Sequence, residues 1–285
     1  MTEAATLPSV SVVVAFFDEE PYLATAIDTV LRQSVVDWEL LLVDDGSRDG
    51  SAAIADAAAA SDPRVRVLRH PGGVNAGLPA SRNLGLAAAR ARYLCYLDAD
   101  DAWVPEKLAR QMAMMVANPS AAIVCGASWR QPIDPGVPAR LAVVSRRAPR
   151  LLRRGQFPRL MVRGVVRTPP PSDVMYRTHA LRQAGGVPAG PNMHEDQRTF
   201  IAVTLRSRAM VSAEALTIYT VRSDSVYGSQ LSDPMQQVRQ HAVFEAWVTA
   251  YGLRQGPFGL ALVATLLLHR FRRGLTRRIK LVFGR

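Results

Sequence analysis

The sequence predicts an α/β fold with a mostly parallel central sheet flanked by helices, followed by a helical, basic C-terminal extension. Two observations carry this expectation. Short apolar runs recur through the first 125 residues, and segments of helical spacing separate them. Residues 10–16, VSVVVAF, form a β-branched run of the kind a strand buried on both faces requires. Asp18, Glu19, Glu20 and Pro21 follow, which places acids and a proline in the first turn of a helix. Leu23, Ala26, Ile27, Val30 and Leu31 then repeat at helical spacing. Residues 38–43, WELLLV, read as a second buried strand, cut off by Asp44, Asp45, Gly46 and Ser47. An Ala-rich helix at 51–60, a short strand at 65–68, a Gly/Asn loop and a helix at 79–90 come next. Residues 93–97, YLCYL, make a further strand that stops at Asp98. A helix near 105–116 and a strand at 121–125 complete the series. Such alternation implies right-handed crossovers and a sheet covered on both faces.

After Gly126 the pattern weakens. Residues 131–167 are rich in Pro and Arg, with no acid after Asp134, and Pro169, Pro170 and Pro171 mark an extended segment. Helices are expected over 233–250 and again over 257–283, the second strongly basic in its later half. The chain therefore divides, on sequence, into residues 1–126, 127–230 and 231–285. No internal repeat is visible.

Composition narrows the function. With 48% apolar and 21% charged residues, the 285-residue chain is neither a disordered polymer nor a collagen-like fibre. Cys95 and Cys125 are too few for a disulfide scaffold or a zinc site and sit in apolar runs, so both are expected to be reduced and buried. The net charge of +11 is segregated: residues 1–101 carry 15 acids and 8 bases, and residues 102–285 carry 9 acids and 27 bases. A genome that favours Arg codons accounts for the Arg/Lys ratio but not for the segregation, which suggests a basic half facing something anionic. No apolar run approaches the ~18 residues of a membrane span, and residues 1–8 do not read as a secretory signal. A cytoplasmic chain, peripheral on the cytoplasmic face of the membrane, is expected.

Ligands of parallel α/β sheets bind beyond the carboxyl ends of the strands. Three acid-bearing loops follow strands there: Phe17-Asp18, Asp44-Asp45-Gly-Ser, and Asp98-Ala-Asp100-Asp101. One such loop is as readily a helix cap, but like charges raise each other's pKa, so three together point to a cation and polar-ligand site. Asp98-x-Asp100 offers hard oxygen ligands suited to Mn²⁺ or Mg²⁺ bridging to phosphates. No Gly-x-Gly-x-x-Gly and no Walker loop is present, which argues against a dinucleotide dehydrogenase or an NTPase.

Residues 11–17, Trp38-Glu-Leu-Leu-Leu-Val-Asp-Asp-Gly-Ser-Arg-Asp-Gly50, Asn75-Ala-Gly77, Ser81-Arg-Asn-Leu-Gly85 and Tyr96-Leu-Asp-Ala-Asp-Asp101 resemble, in order, the motifs of glycosyltransferase family 2, of the GT-A fold. The resemblance resumes at 172–186 and at His194-Glu-Asp-Gln197. It implies a nucleotide-diphosphate-sugar donor, a Mn²⁺ or Mg²⁺ cofactor and an inverting single displacement. Carried over, Phe17 stacks on the base, Asp44 bonds a uracil-type base edge, Arg82 lies near the phosphates, Asp98 contacts ribose or metal, and Asp100 ligates the metal. Asp196 is the general base, and Glu195, His194 and Arg198 lie on the acceptor side. Blander readings stand beside these: Phe17 as core, Arg82 in a surface salt bridge, Asp196 at a helix N-terminus, and His194 as structural. The chain departs from the family at Ala15-Phe-Phe-Asp18, where Pro and a final Asn are usual. It departs again at Gln197-Arg198 in place of Tyr-Asp, and at Tyr219-Thr-Val-Arg222 where Tyr-Arg-x-His is common, which leaves Arg222 as the substitute for any second phosphate or metal contact there.

Residues 269–285 carry seven Lys/Arg and no acid, and Leu266, Phe271, Leu275, Ile279 and Phe283 share one helical face. This is the pattern of an interfacial helix on anionic lipid, with a solvated, frayed terminus as the alternative. No aromatic interleaving or reader motif points to nucleic acid. The expected acceptor is lipid-linked or a growing polysaccharide. The rivals are a sugar nucleotidyltransferase, which would want a Gly-rich basic loop after the first strand, and a non-catalytic scaffold.

Overall fold

The computed structural model describes residues 7–134, 136–189, 194–222 and 234–283, with side chains of the last helix described through Phe271. The alternation read from the sequence is present: β1 (Val10–Phe16), α1 (Glu20–Leu31), β2 (Trp38–Asp44), α2 (Ser51–Ser61), β3 (Val65–Arg69), α3 (Leu78–Ala88) and β4 (Tyr93–Tyr96). A two-residue β5 (Ala102–Trp103), α4 (Lys107–Ala117) and β6 (Ala121–Pro132) follow. β1 and β2 are buried almost throughout because successive residues feed different cores. Val10, Val12 and Val14 pack beneath α1 with Leu23, Ile27 and Val30. Val13 instead joins Leu41, Val43 and Leu86 on the opposite face. Each fully buried Val or Leu contributes about 1.5–3 kcal/mol through water released. Pro21 in the first turn of α1 fits the helix start because that position needs no N–H donor. α3 crosses β1 so closely that a Cβ on Gly85 would run into the Val13 methyls.

Beyond β6 the chain builds β7 (Arg140–Ala142), β8 (Arg150–Leu152), α5 (Gln156–Val162), β9 (Met175–Arg177), α6 (Thr178–Gln183), α7 (Glu195–Thr204) and β10 (Arg208–Val221). Helices α8 (Pro234–Leu253) and α9 (Gly256–Phe283) come last. The described residues form one ten-stranded sheet in the order β3-β2-β1-β4-β9-β6-β10-β5, with β7 on β6 and β8 on β10. Pairing is parallel from β3 to β4 and between β6 and β10. The short β9 wedges in antiparallel between β4 and β6. This insertion was not expected from the sequence, because three residues are too few to show a period. The 14-residue β10 also went unexpected: register shifts against β6 at Val211–Thr217 break the alternation that marks a strand. Strands from both sides of residue 126 thus share one sheet.

Cys95 and Cys125 are buried free thiols, as expected. The C-terminal helices are present, and among the described residues no helix is long and apolar enough to cross a membrane. One detail of the last helix differs from expectation. Leu266 is buried in the core with Leu262 and Phe244, whereas Leu260, Leu267, Leu268 and Phe271 are exposed. The other residues expected on that face, Leu275, Ile279 and Phe283, lie outside the described side chains.

Candidate active site

The site lies at the carboxyl ends of β1, β2 and β4. The loops after β1 and β2 are laced together by reciprocal bonds. The Asp18 N–H donates to Ser47 Oγ, the Arg48 N–H donates to Asp18 Oδ1 at 2.6 Å, and the Glu19 N–H donates to Ser51 Oγ. Asp18 sits at φ 53°, a left-handed conformation that Asp tolerates better than most residues. At 38% exposure Phe17 is not core, which removes the bland reading. Asp44 is buried and shapes its own turn, with Oδ1 accepting from the Gly46 and Ser47 N–H groups. Gly46, at φ 84°, lies against the Gly73 carbonyl where a Cβ would not fit. Asp45 reaches across to the Asn75-Ala-Gly77 loop, accepting from the Ala76 and Gly77 N–H groups and from Ser81 Oγ.

The acidic loop after β4 is held from several sides. Arg82 of α3, 3% exposed, places Nη2 on Asp98 Oδ1 at 2.5 Å and Nη1 on Glu195 Oε1 at 3.3 Å. It is therefore not a surface bridge but a buried cation joining the acidic loop to α7. Ser172 Oγ accepts from the Asp98 N–H and donates to Asp101 Oδ2, while the Thr220 N–H donates to Asp101 Oδ1. Burial first, then Asp98 and Asp100, push the Asp101 carboxyl well up. Asp100 faces Arg222 at the end of β10, with Nε 3.2 Å from Oδ2. The Arg222 guanidinium also pairs with both oxygens of Glu19 at 2.8 and 2.9 Å and lies 4.6 Å over the Tyr22 ring. Burial, then the Asp98 charge, raise Asp100 to about 6, and Arg222 opposes them.

At the start of α7, Asp196 Oδ1 accepts from the Gln197 N–H at 2.6 Å. Burial and the neighbouring Glu195 push Asp196 up to about 7, while that bond and Arg82 oppose the rise. Glu195 turns inward to Arg82. His194 is the residue before α7, at φ 64°. Burial, then His241 and Arg198, lower its pKa to about 4, so its ring is neutral at pH 7. It packs against Phe244 at 4.9 Å and His241 at 6.4 Å, both from α8. Arg198 is buried, and its guanidinium bonds the Ala189 and His194 carbonyls.

Of the residues named from the sequence, the structure joins Arg82, Asp98 and Glu195 directly, and three of their neighbours were not named as site residues. Ser172 lay within a segment already quoted, without a motif of its own, whereas Arg222 was named as a substitute for a phosphate or metal contact and is found paired with Glu19 and Asp100. Glu19 carried only a helix-start reading. His241 had no spacing relation to His194 and reaches it through packing alone.

Among the described residues no group of three or more His, Cys, Asp or Glu forms a ready metal cluster. Mg²⁺-type ions need only one or two carboxylates when phosphates complete the shell. Asp98 and Asp100 meet that requirement. Burial is the main cause of the raised Asp100 pKa, and Arg222 and Arg82 already face Asp100 and Asp98, so the donor set fits an ion that shares these carboxylates with the two guanidiniums.

Comparisons with known proteins follow this geometry. A glucosyltransferase from Escherichia coli, UDP-Glc:alpha-D-GlcNAc-diphosphoundecaprenol beta-1,3-glucosyltransferase WfgD, is 33% identical over 109 residues, 38% of this chain and 42% of its own length. The matched stretch spans less than half of that relative. Staphylococcus aureus TarS 1–349 in complex with UDP-GlcNAc superposes with TM-score 0.70 at 18% identity, covering 96% of this chain and 75% of that one. Mannosyltransferase PcManGT from Pyrobaculum calidifontis, in complex with GDP-Man and Mn²⁺, gives 0.61 at 15% identity, covering 98% and 80%. The likeness to both structures supports a GT-A fold. Residues 11–183 match the family model described as Glycosyl transferase family 2, which is more than half of the chain. The sheet, the ordered strand-end loops and this match together make the chain a member of glycosyltransferase family 2.

Proposed function

We propose that the chain is a metal-dependent, inverting glycosyltransferase that moves a sugar from a nucleotide-diphosphate donor, a UDP-sugar, to a lipid-linked or growing polysaccharide acceptor. One observation carries the reading: a single buried guanidinium, Arg82, ties the acidic loop of Asp98 and Asp100 to the helix start that bears Asp196. Donor-side and acceptor-side chemistry are thereby held in one rigid frame. Phe17, exposed at the rim, offers a face for the base, and Asp44 an edge contact. In the transfer, Asp196 takes the proton of the acceptor hydroxyl as its oxygen attacks the anomeric carbon. The bond from that carbon to the diphosphate breaks, and the electron pair leaves with the diphosphate. Asp100 with Asp98 would hold Mn²⁺ or Mg²⁺, which when bound would supply Lewis-acid neutralisation of the charge on that leaving group. A pKa near 7 suits Asp196 to the base role, because about half of it is ionised at neutral pH and the ionised form is a stronger base than an ordinary carboxylate. His194 and His241, with Phe244, wall the acceptor side, while Glu195 and Arg198 brace it. Residues 1–126 supply the donor contacts, 127–230 the base and acceptor contacts, and 231–285 the helical extension.

UDP-GlcNAc in the TarS complex and the UDP-Glc and diphosphoundecaprenol named for WfgD support this choice of substrates, while the GDP-Man and Mn²⁺ of the PcManGT complex support a nucleotide sugar with a metal but not the uridine. A thermal-shift screen of nucleotide sugars with and without Mn²⁺, followed by turnover of the best donor, tests it. Asp196→Asn should abolish transfer while retaining nucleotide binding, and Asp100→Ala should lose the Mn²⁺-dependent part of that binding. A folded protein that shifts with no donor in the panel would sink the reading.

The extension is proposed to lie peripherally on the cytoplasmic face of the membrane. Leu260, Leu267, Leu268 and Phe271 give α9 an exposed apolar side, and the following sequence is basic. Deleting residues 269–285 should release the protein from anionic vesicles without changing donor binding.

A further inference from the structure

We infer that the sheet edge opposite the candidate active site is a binding groove for phosphate-bearing anions. A cavity of about 690 Å³ opens there, lined by Arg92, Arg154, Arg177, His179, Arg206 and Arg208, and by no carboxylate. Topology explains the gathering. β4, β9, β6, β10 and β8 are successive neighbours in the sheet. Arg92 stands just before β4, Arg177 ends the antiparallel β9, Arg206 and Arg208 begin β10, and Arg154 follows the antiparallel β8. Four strands therefore deliver arginines to the same edge, across four strand spacings of ~4.8 Å, or roughly 19 Å. The acidic loop lies at the other end of β4, six residues from Arg92 or roughly 20 Å at ~3.3 Å per residue. The groove is separate from the donor site.

In an arginine-rich chain a fringe of solvated guanidiniums is the expected background, and two observations set this groove apart. Arg177 is 6% exposed. Its guanidinium is satisfied by the carbonyls of Ala121, Met115 and Asn118, the last two at the C-terminal end of α4. Carbonyl dipoles complete its hydrogen bonds, but among the described residues no carboxylate cancels its charge. A full positive charge is thus fixed beneath the groove. Secondly, Arg92, Arg154, Arg206 and Arg208 make no carboxylate pair among the described residues, although Arg64, Arg66, Arg69, Arg82, Arg90 and Arg222 all do. Five like charges along one edge repel each other, and an oxyanion with several acceptor oxygens relieves that repulsion while matching the guanidinium forks. Phosphate chemistry fits best, since the row is long enough for more than one phosphate. Its source is either a soluble polyphosphorylated molecule or the headgroups of anionic lipids.

The full-length protein and an Arg154→Ser/Arg206→Ser/Arg208→Ser variant test the inference. These three side chains are exposed, so the variant should keep the wild-type melting temperature. Calorimetric titration with tripolyphosphate, with UDP present throughout, forms one arm. Flotation with phosphatidylcholine vesicles, with and without phosphatidylglycerol, forms the other. Wild-type protein should bind in at least one arm, and the variant should bind about 10-fold more weakly or worse there. The corresponding triple Lys variant should retain most of the binding. Loss confined to the tripolyphosphate arm assigns a soluble ligand, and loss confined to the vesicle arm assigns a headgroup. If the triple Ser variant unfolds, Arg206→Ser alone takes its place, with a smaller loss expected. Equal binding by wild type and variant, or no binding in either arm, overturns the inference. Absence of a UDP response would instead count against the donor reading, and the comparison of wild type with variant would stand.

Discussion

Replacing Arg82 with Met keeps the aliphatic stem but leaves the Asp98 and Glu195 carboxylates facing each other without the cation between them. Their side chains are 24% and 11% exposed, so water cannot fully replace it. Removing one partner of a buried ion pair costs about 3–5 kcal/mol. The partial exposure of Asp98 argues for the lower end, about 3 kcal/mol. At this chain length each kcal/mol shifts the melting temperature by ~2–4 °C, so Arg82→Met should melt roughly 6–12 °C lower. Thermal unfolding at pH 7.5 measures it. The triple Arg82→Met/Asp98→Asn/Glu195→Gln should recover most of the loss, because the penalty belongs to the uncompensated charges and not to the missing bonds. If Arg82→Met melts within about 2 °C of wild type, or the triple recovers nothing, the proposed electrostatic clasp is wrong.

Other expectations test other parts of the molecule. Gly85→Ala should cost about 1–3 kcal/mol by forcing α3 away from Val13, and pairing it with Val13→Ala should return part of the loss in the same melting assay. Phe17→Ala should leave stability within about 0.5 kcal/mol yet weaken nucleotide binding by the equivalent of ~1–3 kcal/mol of stacking, read by calorimetry. Transfer should lose about tenfold per pH unit on the acid side of about 7, where Asp196 protonates, and a profile flat down to pH 5 would remove it as base. Burial raises Asp173 to about 7, so the native chain keeps a proton there that the unfolded chain, with its ordinary Asp near 3.8, has released. Stability should therefore fall as pH rises from about 4 to 7 through this group, and Asp173→Asn should flatten that slope.

The legible part of the fold was the part built from buried parallel strands. In β1, β2 and β4 both faces are covered, so the apolar run itself announces the strand, and the loop after it announces the site. Phe17, Asp44, Asp98 and Asp100 stand on those loops and were named for that reason. β9 and β10 were not legible. The first is three residues long, and the second is interrupted by register shifts and carries Ser212, Glu214 and Thr217 within it. Ser172, just ahead of β9, was hidden with it, whereas Arg222, just after β10, was visible only as the last residue of an altered motif. Arg82 was read as a phosphate neighbour because its motif gave a position, whereas its burial between two carboxylates depends on α7, which lies 113 residues away in the chain.

Ser172 has a consequence for how the protein comes into being. Its hydroxyl bonds the Asp98 N–H and Asp101, and its carbonyl accepts from Trp103 Nε1 at 2.8 Å. All three contacts span 69 to 74 residues. During synthesis the acidic loop thus emerges well before the residue that shapes it, and the gap between β4 and β6 stands empty until β9 arrives. The first 126 residues, which hold nearly all the recognisable motifs, thus lack the strand and the hydroxyl that complete their acidic loop. The recognition code is written early in the chain, and it becomes a site only when the late half closes behind it.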